Sequence, residues 1–413
     1  EIPDGEFVGS DQCGACHTVQ YASFVQTGHP FKLNRAFGTQ PSYPFTNLNG
    51  VLERITDDDA AAGDPKAGTD NPLGTPATYD DVSYVIGGYF WKARFVDLDG
   101  AIVTGTGTQY NFATDEMVAY HNDESDKYYN CGNCHTTGWR RYDADLNPNR
   151  QDGMQFMQGT FHEGGIQCEA CHGAGAAHVK FTGTITRDAY MPRSDAELTA
   201  PDAGYGDPIA CGECHTRDGE RDYPSYVSPF EGALATAEAF DPRPLDMGGR
   251  IAASSGLIKH HEQYDEILGI DPDTLDTTRS EAFFSTHGNC NTCHNPHGSS
   301  VNVDNLLYTG MPGVDNTNAG CIRCHDTYDT TLRSGGMQGL GCIDCHMPYL
   351  AKSAVKTAGE ADRPATGDVS SHIFTINMST TDDQFTEDGK FAYPAIDEDW
   401  ACRTCHNSCL LYT

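Results

Sequence analysis

The stretch Cys131-Gly132-Asn133-Cys134-His135 spells Cys-x-x-Cys-His, the pattern that attaches haem c, and it occurs eight times in the 413 residues. In each copy two thioether bonds hold one macrocycle, and the histidine lies beneath the iron as an axial ligand. Zinc or redox Cys-x-x-Cys sites would not require a histidine after every pair. The sequence therefore predicts eight covalently attached haems c. Their cysteines are Cys13, Cys16, Cys131, Cys134, Cys168, Cys171, Cys211, Cys214, Cys290, Cys293, Cys321, Cys324, Cys342, Cys345, Cys402 and Cys405. Their histidines are His17, His135, His172, His215, His294, His325, His346 and His406.

Histidines outside these motifs are candidates for the second axial position of each iron. His260 and His261 are adjacent, and neighbours on a helix point about 100° apart, so we expect only one of them to serve. That leaves eight usable histidines for eight irons. No methionine recurs at a fixed offset from the motifs, which disfavours methionine ligation. The predicted distal ligands are His29, His121, His162, His178, His260 or His261, His287, His297 and His372.

The spacing of two distal candidates predicts that neighbouring haems share segments of chain. His297 follows His294 by three residues. Such a segment spans at most roughly 10 Å, too little to pass from one face of a porphyrin to the iron's other face. We therefore expect His297 to bind a neighbouring haem. The same argument applies more loosely to His178, which follows His172 by six residues.

Composition limits the compartment and the partners. Haem attachment uses all cysteines except Cys409, so no disulfide framework is expected, and c-type haem assembly indicates a site outside the cytoplasm. No apolar run is long enough to span a membrane. The start at Glu1 suggests a mature chain without export signal or lipid anchor. A formal charge of −33 disfavours nucleic acid and anionic membranes. It either favours cationic partners, metal ions and mineral surfaces or keeps an exported protein soluble.

The expected fold is a multihaem cytochrome c, mostly loop and coil, with short α-helices around stacked haems. Roughly 50 residues serve each predicted haem, so we expect porphyrins rather than side chains to form the core. Two long stretches, residues 18–130 and 216–289, lack motifs. The second contains a soft boundary near residue 228, which gives two four-haem domains, 1–228 and 229–413.

Some segments between the motifs predict regular structure. Residues 82–86, 90–97 and 101–104 are β-branched and aromatic, and Asp99-Gly100 is a turn signal. A small antiparallel hairpin or sheet is expected near residues 82–104, in an insert of about residues 40–120. Residues 56–76 are acidic and rich in Gly, Pro and Ala, which indicates a solvated loop or, less well supported by ligand spacing, a calcium site. Residues 251–268 have the periodicity of an amphipathic helix.

The first half resembles a group of multihaem cytochromes. The resemblance lies in residues 84–88, 91–95, 108–111, 131–139 and 165–173, and covers roughly residues 9–215. The group includes the tetrahaem cytochrome of nitrifying bacteria that accepts electrons from hydroxylamine oxidoreductase. It also includes tetrahaem cytochromes that polymerise into extracellular nanowires in metal-reducing bacteria and some archaea.

The second half is similar to a broader multihaem set. Residues 258–264 resemble a helix whose histidine, four before the tyrosine, is a haem ligand, which favours His260. Residues 285–287 and 368–374 resemble its other distal-ligand segments. The resemblance implies an octahaem subunit of an extracellular cytochrome filament, exported through the periplasm. Its partners would be identical subunits placed end to end, and metal oxides, electrodes or redox proteins outside the cell.

Two other functions fit the same haem chemistry. An octahaem oxidoreductase acting on hydroxylamine, nitrite or tetrathionate would keep one iron open, often through Cys-x-x-Cys-Lys. No such motif occurs, and the histidine count forces no vacancy. A discrete periplasmic electron shuttle would differ from a filament only in its end-to-end contacts. The sequence predicts a carrier without catalytic residues.

Overall fold

The computed structural model describes residues 7–55, 76–142, 144, 148–183, 214–215, 249–280, 283, 287, 293–294, 296–298, 321, 325, 341–359, 364–379 and 383–402. The chain divides into two compact units. Unit 1 comprises Glu1–Tyr190, Val227–Thr236 and His297–Val301, and unit 2 comprises Met191–Tyr226, Ala237–Pro296 and Asn302–Thr413. The predicted boundary near residue 228, residues 56–75 of the acidic segment and Cys409 lie outside the described residues.

The helices are short, and half of those described contain all or part of an attachment motif. No helix in the described ranges is long and apolar enough to cross a membrane. Residues three and four apart lie on the same face of a helix, so one helical turn brings two cysteines and a histidine to one side. The helices are α1 (Ser10–Cys16), α2 (Thr18–Phe24), α3 (Gly132–His135), α4 (Cys168–His172), α5 (Ala176–Val179), α6 (Gln263–Leu268), α7 (Cys342–His346) and α8 (Glu398–Ala401).

Unit 1 contains a seven-stranded antiparallel sheet that includes the predicted hairpin. Gly100, at φ 86°, occupies the predicted turn before the strand Ala101–Ile102. The sheet is larger than predicted, because strands before and after the hairpin extend it. Its strands are β1 (Leu33–Arg35), β2 (Val82–Gly87), β3 (Lys92–Asp97), β4 (Ala101–Ile102), β5 (Gly105–Asn111), β6 (Glu116–Tyr120) and β7 (Lys127–Tyr128). β2 pairs with β1 and β3, β3 also pairs with β4 and β5, β4 pairs with β7, and β5 pairs with β6.

The sheet has a side-chain core of its own, which corrects the expectation that porphyrins alone form the core. Val85 and Phe95 are fully buried in one apolar cluster. Tyr84 and Val96, their neighbours along the same strands, lie in a second cluster with Trp139. Because successive residues of a strand point to opposite faces, both faces of this sheet are covered.

The predicted helix over residues 251–268 is wrong for its first half. β12 (Ile251–Ser254) and β13 (Leu257–Lys259) form an antiparallel pair. Ser255 and Gly256 both have positive φ, which makes a tight turn that a helix could not continue through. Only Gln263–Leu268 is helical. The apolar residues therefore occupy consecutive buried positions of two short strands where we expected helical spacing.

Short strands complete the two units. They are β8 (Thr136–Thr137), β9 (Arg140–Arg141), β10 (Gly159–Thr160), β11 (Glu163–Gly164), β14 (Ala351–Lys352), β15 (Ile376–Asn377), β16 (Phe391–Ala392) and β17 (Ile396–Asp397). In unit 2, β12 and β13 belong to a four-stranded sheet with the order β14-β13-β12-β16. The remaining strands form two-stranded pairs, β8 with β11, β9 with β10 and β15 with β17.

Candidate haem-binding sites

Several attachment histidines have one ring nitrogen fixed by the protein. Nδ1 of His135 lies 3.0 Å from the Lys32 carbonyl oxygen, and Nδ1 of His346 lies 2.7 Å from that of Phe374. Nδ1 of His215 lies 3.0 Å from Oε1 of Gln263. An Nδ1–H that donates to an oxygen leaves the Nε2 lone pair free for a metal, the usual arrangement of metal-binding histidines.

Four attachment histidines each face a histidine from outside the motifs. The two rings are 5.9–6.2 Å apart between centroids, with interplanar angles of 9–35°. A metal–imidazole bond of about 2.0 Å, with roughly 1.1 Å from nitrogen to ring centre, separates two opposed axial rings by about 6.2 Å. Each pair thus fits one iron. The pairs are His17 with His178 (6.2 Å), His172 with His297 (5.9 Å), His325 with His287 (6.1 Å) and His294 with His372 (6.1 Å).

Segments close together in the chain contribute to different pairs. His294 and His297 are three residues apart, yet the first faces His372 and the second faces His172. His178 likewise faces His17, not the nearby His172. The rings are thus placed as expected from the limited reach of these short segments.

Four of the paired rings favour the uncharged form of histidine. Burial lowers the pKa of His172, His287 and His297 below its ordinary value. Burial, with the neighbouring His294 as a smaller cause, lowers the pKa of His372 to about 3. A neutral imidazole offers the lone pair that a metal requires, so these sites suit metal binding at neutral pH.

Other predicted ligands have different surroundings. His162 stacks on Phe7 with ring centroids 5.5 Å apart. The His29 carbonyl oxygen accepts the Ile166 N–H, which fixes the backbone at that residue.

The adjacent candidates His260 and His261 lie in the turn after β13, with ring centroids 3.5 Å apart. The His260 carbonyl oxygen accepts a hydrogen bond from Gln263, the residue that also holds His215. His406, Cys211, Cys290, Cys324 and Cys405 lie outside the described residues.

His121 is exposed and takes part in a polar cluster that the sequence reasoning missed. Its Nδ1 lies 2.8 Å from Oε1 of Glu124, which also pairs with Lys127 at 2.7 Å. One ligand atom from each of His121, Asp123 and Glu124 lies within 4.8 Å of the others. The sequence offered one signal, two acidic residues within three positions of the histidine, but we counted His121 only as a haem ligand.

Cysteines of different motifs also come together. The Cys168 N–H donates to the Ser10 hydroxyl oxygen at 3.4 Å, and the nearby Cys168 side chain raises the pKa of the Cys13 thiol, so the first and third motifs are neighbours. In unit 2, burial and the nearby Cys342 raise the pKa of the Cys321 thiol to about 11, so residues of the sixth and seventh motifs are neighbours.

A buried carboxylate that sequence reasoning missed supports the first of these contacts. Glu169, between the two cysteines of its motif, is 1 % exposed and binds the backbone N–H groups of Val8, Gly9 and Gly175. No periodicity marks this glutamate, because two of its three partners, Val8 and Gly9, belong to a segment about 160 residues away.

Two family models match parts of the chain. The model described as "Cytochrome c554 and c-prime" matches residues 105–173. The model described as "Doubled CXXCH motif" matches residues 285–330. No curated protein sequence matches the chain.

Three solved structures are similar to the chain. The octahaem sulfite reductase of Wolinella succinogenes has 16 % identity and a TM-score of 0.53, over 97 % of this chain and 65 % of the reductase. The undecahaem S-layer cytochrome of Carboxydothermus ferrireducens has 18 % identity and a TM-score of 0.41, over 85 % of this chain and 52 % of that protein. An outer cell wall cytochrome has 17 % identity and a TM-score of 0.47, over 90 % of this chain and 80 % of that protein. The chain thus spans about half the length of the undecahaem cytochrome and shares a multihaem fold with the reductase.

Proposed function

We propose that this multihaem c-type cytochrome transfers electrons through eight haems c, as a subunit of an extracellular filament. The observation that carries the proposal is the set of four opposed histidine pairs. In each pair an attachment histidine and a second histidine would hold one haem iron between them and would leave no position for a substrate at that iron. Such ligation suits an electron carrier, whereas an enzyme acting on a small molecule at haem needs an open position.

The four pairs give a ligand assignment for half of the predicted haems. The distal ligands are His178 for the motif of His17, His297 for that of His172, His372 for that of His294 and His287 for that of His325. His29, His121, His162 and His260 would serve the haems of His135, His215, His346 and His406, in an order that we leave unassigned.

Haem c supplies a reversible one-electron iron couple when bound. The protein's part is to keep the ligand rings in place. The Lys32 and Phe374 carbonyl oxygens hold His135 and His346, and these rings therefore keep their orientation when charge changes. Fixed ligands on both sides reduce the structural rearrangement that accompanies each electron transfer.

The filament and the location outside the cell rest on the family resemblance and on composition. We propose that identical subunits join end to end and that electrons leave to metal oxides, electrodes or redox partner proteins. The formal charge of −33 suits cationic or mineral partners. Attachment of haem c requires export, which supports a route through the periplasm to the cell surface. A discrete periplasmic shuttle is the alternative for the same haem chemistry.

An octahaem oxidoreductase is the second candidate function. The observation that favours it is the fold likeness to the octahaem sulfite reductase, at a TM-score of 0.53. At 16 % identity this likeness concerns the fold alone. The two functions differ in one measurable property, an iron that can exchange a ligand.

Carbon monoxide binding to the reduced holoprotein tests the proposal. Intact-mass spectrometry first establishes whether the 44.8 kDa polypeptide carries eight haems. We expect no carbon monoxide difference spectrum in the wild type and one equivalent in His297→Ala, which serves as the positive control. Stoichiometric binding in the wild type would contradict the carrier and support the oxidoreductase. Negative-stain microscopy then separates filaments from single particles.

A further inference from the structure

Glu169 is a buried carboxylate within a haem-attachment motif. It lies in α4 between Cys168 and Cys171 and is 1 % exposed. Val8 N–H lies 2.9 Å from Oε1 and 3.0 Å from Oε2, Gly9 N–H lies 2.8 Å from Oε2, and Gly175 N–H lies 2.7 Å from Oε1. Both oxygens act only as acceptors, which is the bonding of an ionised carboxylate.

A second carboxylate lies in the same region. Glu163, half-buried, accepts the Ser10 N–H at 3.0 Å and the Ser10 hydroxyl at 3.1 Å. The Ser10 hydroxyl oxygen also accepts the Cys168 N–H at 3.4 Å, which joins the start of α1 to the third motif. Two carboxyl groups therefore lie where the first and third motifs meet.

A negative charge in this position opposes reduction of a nearby haem. Reduction adds an electron to the iron site, and a buried anion repels it more strongly than an exposed one because water screens it less. Hydrogen bonding and burial around a haem are among the means by which a protein sets its potential.

We infer that Glu169, assisted by Glu163, lowers the reduction potentials of the two haems attached at Cys13–Cys16 and Cys168–Cys171. This inference rests on the proposed haem occupancy of those motifs. Glu169 acts on the potentials of the two haems through its charge and contacts no substrate. It is therefore a positioning residue. Its carboxylate also fixes the backbone of Val8 and Gly9 against α4, which keeps the two motifs in contact.

Spectroelectrochemical titration of the holoprotein tests the inference. Glu169→Gln keeps the size of the side chain and removes its charge. We expect up to two of the eight haem components to become easier to reduce, with about a tenfold change in their ferrous-to-ferric ratio at fixed potential, or about 59 mV. Glu163→Gln should give a smaller shift in the same direction, because Glu163 is less buried.

The control is Asp115→Asn, which removes one exposed carboxylate of the same unit, paired with Arg54 at 2.6 Å. This variant should leave the potentials of all haem components unchanged, because solvent screens the charge of the Asp115 carboxylate. An unchanged titration in a low-spin, fully loaded Glu169→Gln protein overturns the inference. If that variant does not assemble, an unchanged titration in Glu163→Gln overturns it. Missing haems in the wild type would instead contradict the proposed function.

Discussion

The imidazole of His297 lies 5.9 Å from that of His172, although His297 follows the attachment residue His294 by only three positions. His294 itself faces His372 at 6.1 Å. A segment of four residues thus contributes to two ligand pairs.

Replacement of His297 by alanine should open one iron. We expect one of the eight haems to become high spin. This is the haem of the His172 motif, which keeps His172 as a ligand and loses the opposed ring of His297. The haem at Cys290 and Cys293 should stay attached and low spin. Electron paramagnetic resonance of the ferric protein gives the high-spin count. His261→Ala is the matched control and should stay low spin, and loss of the haem at Cys290 would contradict the assignment.

Replacement of Gly132 by alanine should damage the second motif. A Cβ atom at this position would overlap the indole ring of Trp139, which is buried against the sheet. We expect destabilisation of about 1–3 kcal/mol, as for other overpacked sites, or loss of one haem. Chemical denaturation and intact mass measure the two effects. Adding Trp139→Leu should restore part of the loss, and additive effects of the two substitutions would contradict the clash.

Stability of the sheet should depend on the charge of Asp97. Burial raises the pKa of this carboxyl to about 6, while Oδ1 accepts the N–H groups of Asp99 and Ala101 at 2.9 Å. The raised pKa means that the folded state prefers the protonated form, and this stabilisation is lost as pH rises through 6. Asp97→Asn keeps Oδ1 and remains neutral.

The variant should therefore gain stability over the wild type between pH 4 and 7, on the order of 1–2 kcal/mol after allowance for partial solvent screening. Thermal denaturation across this pH range measures the difference. Asp123→Asn, at an exposed position outside this turn, is the control and should show no such trend. An equal difference at pH 4 and pH 7 would contradict the role of Asp97.

Subunit association should strengthen with salt. Each chain has a formal charge of −33, so two subunits in contact repel each other. At 0.1 M, salt screens this repulsion over distances greater than about 10 Å. Light scattering at micromolar protein should show growing assemblies as salt rises. If His29 is the ligand lent across the join, His29→Ala should prevent growth, whereas His261→Ala should not. A monodisperse monomer under all conditions would favour the shuttle.

The sequence predicted the features that depend on local chemistry. The attachment motifs require fixed residue types at fixed spacing, and the hairpin around Asp99-Gly100 follows from turn chemistry and strand periodicity. The placement of His297 away from His294 followed from chain length alone. These features depend on residues within a few positions of each other.

The features that the sequence did not predict depend on distant partners. Leu257 fits helical spacing, but β13, which contains it, pairs with β12 and β14 in a sheet. Which histidine faces which motif depends on long-range packing, as for His372 and His294. Glu169 resembles any surface glutamate in sequence, because the backbone amides that bury it lie about 160 positions away.

That separation has a consequence for maturation. Glu169 accepts the N–H of Val8, before the first motif, although it lies 161 residues later in the chain. Chains leave the ribosome, and cross membranes, with the N-terminus leading, and contacts of such long range form late. The segment before Cys13 and Cys16 therefore lacks these hydrogen bonds until the third motif has been synthesised.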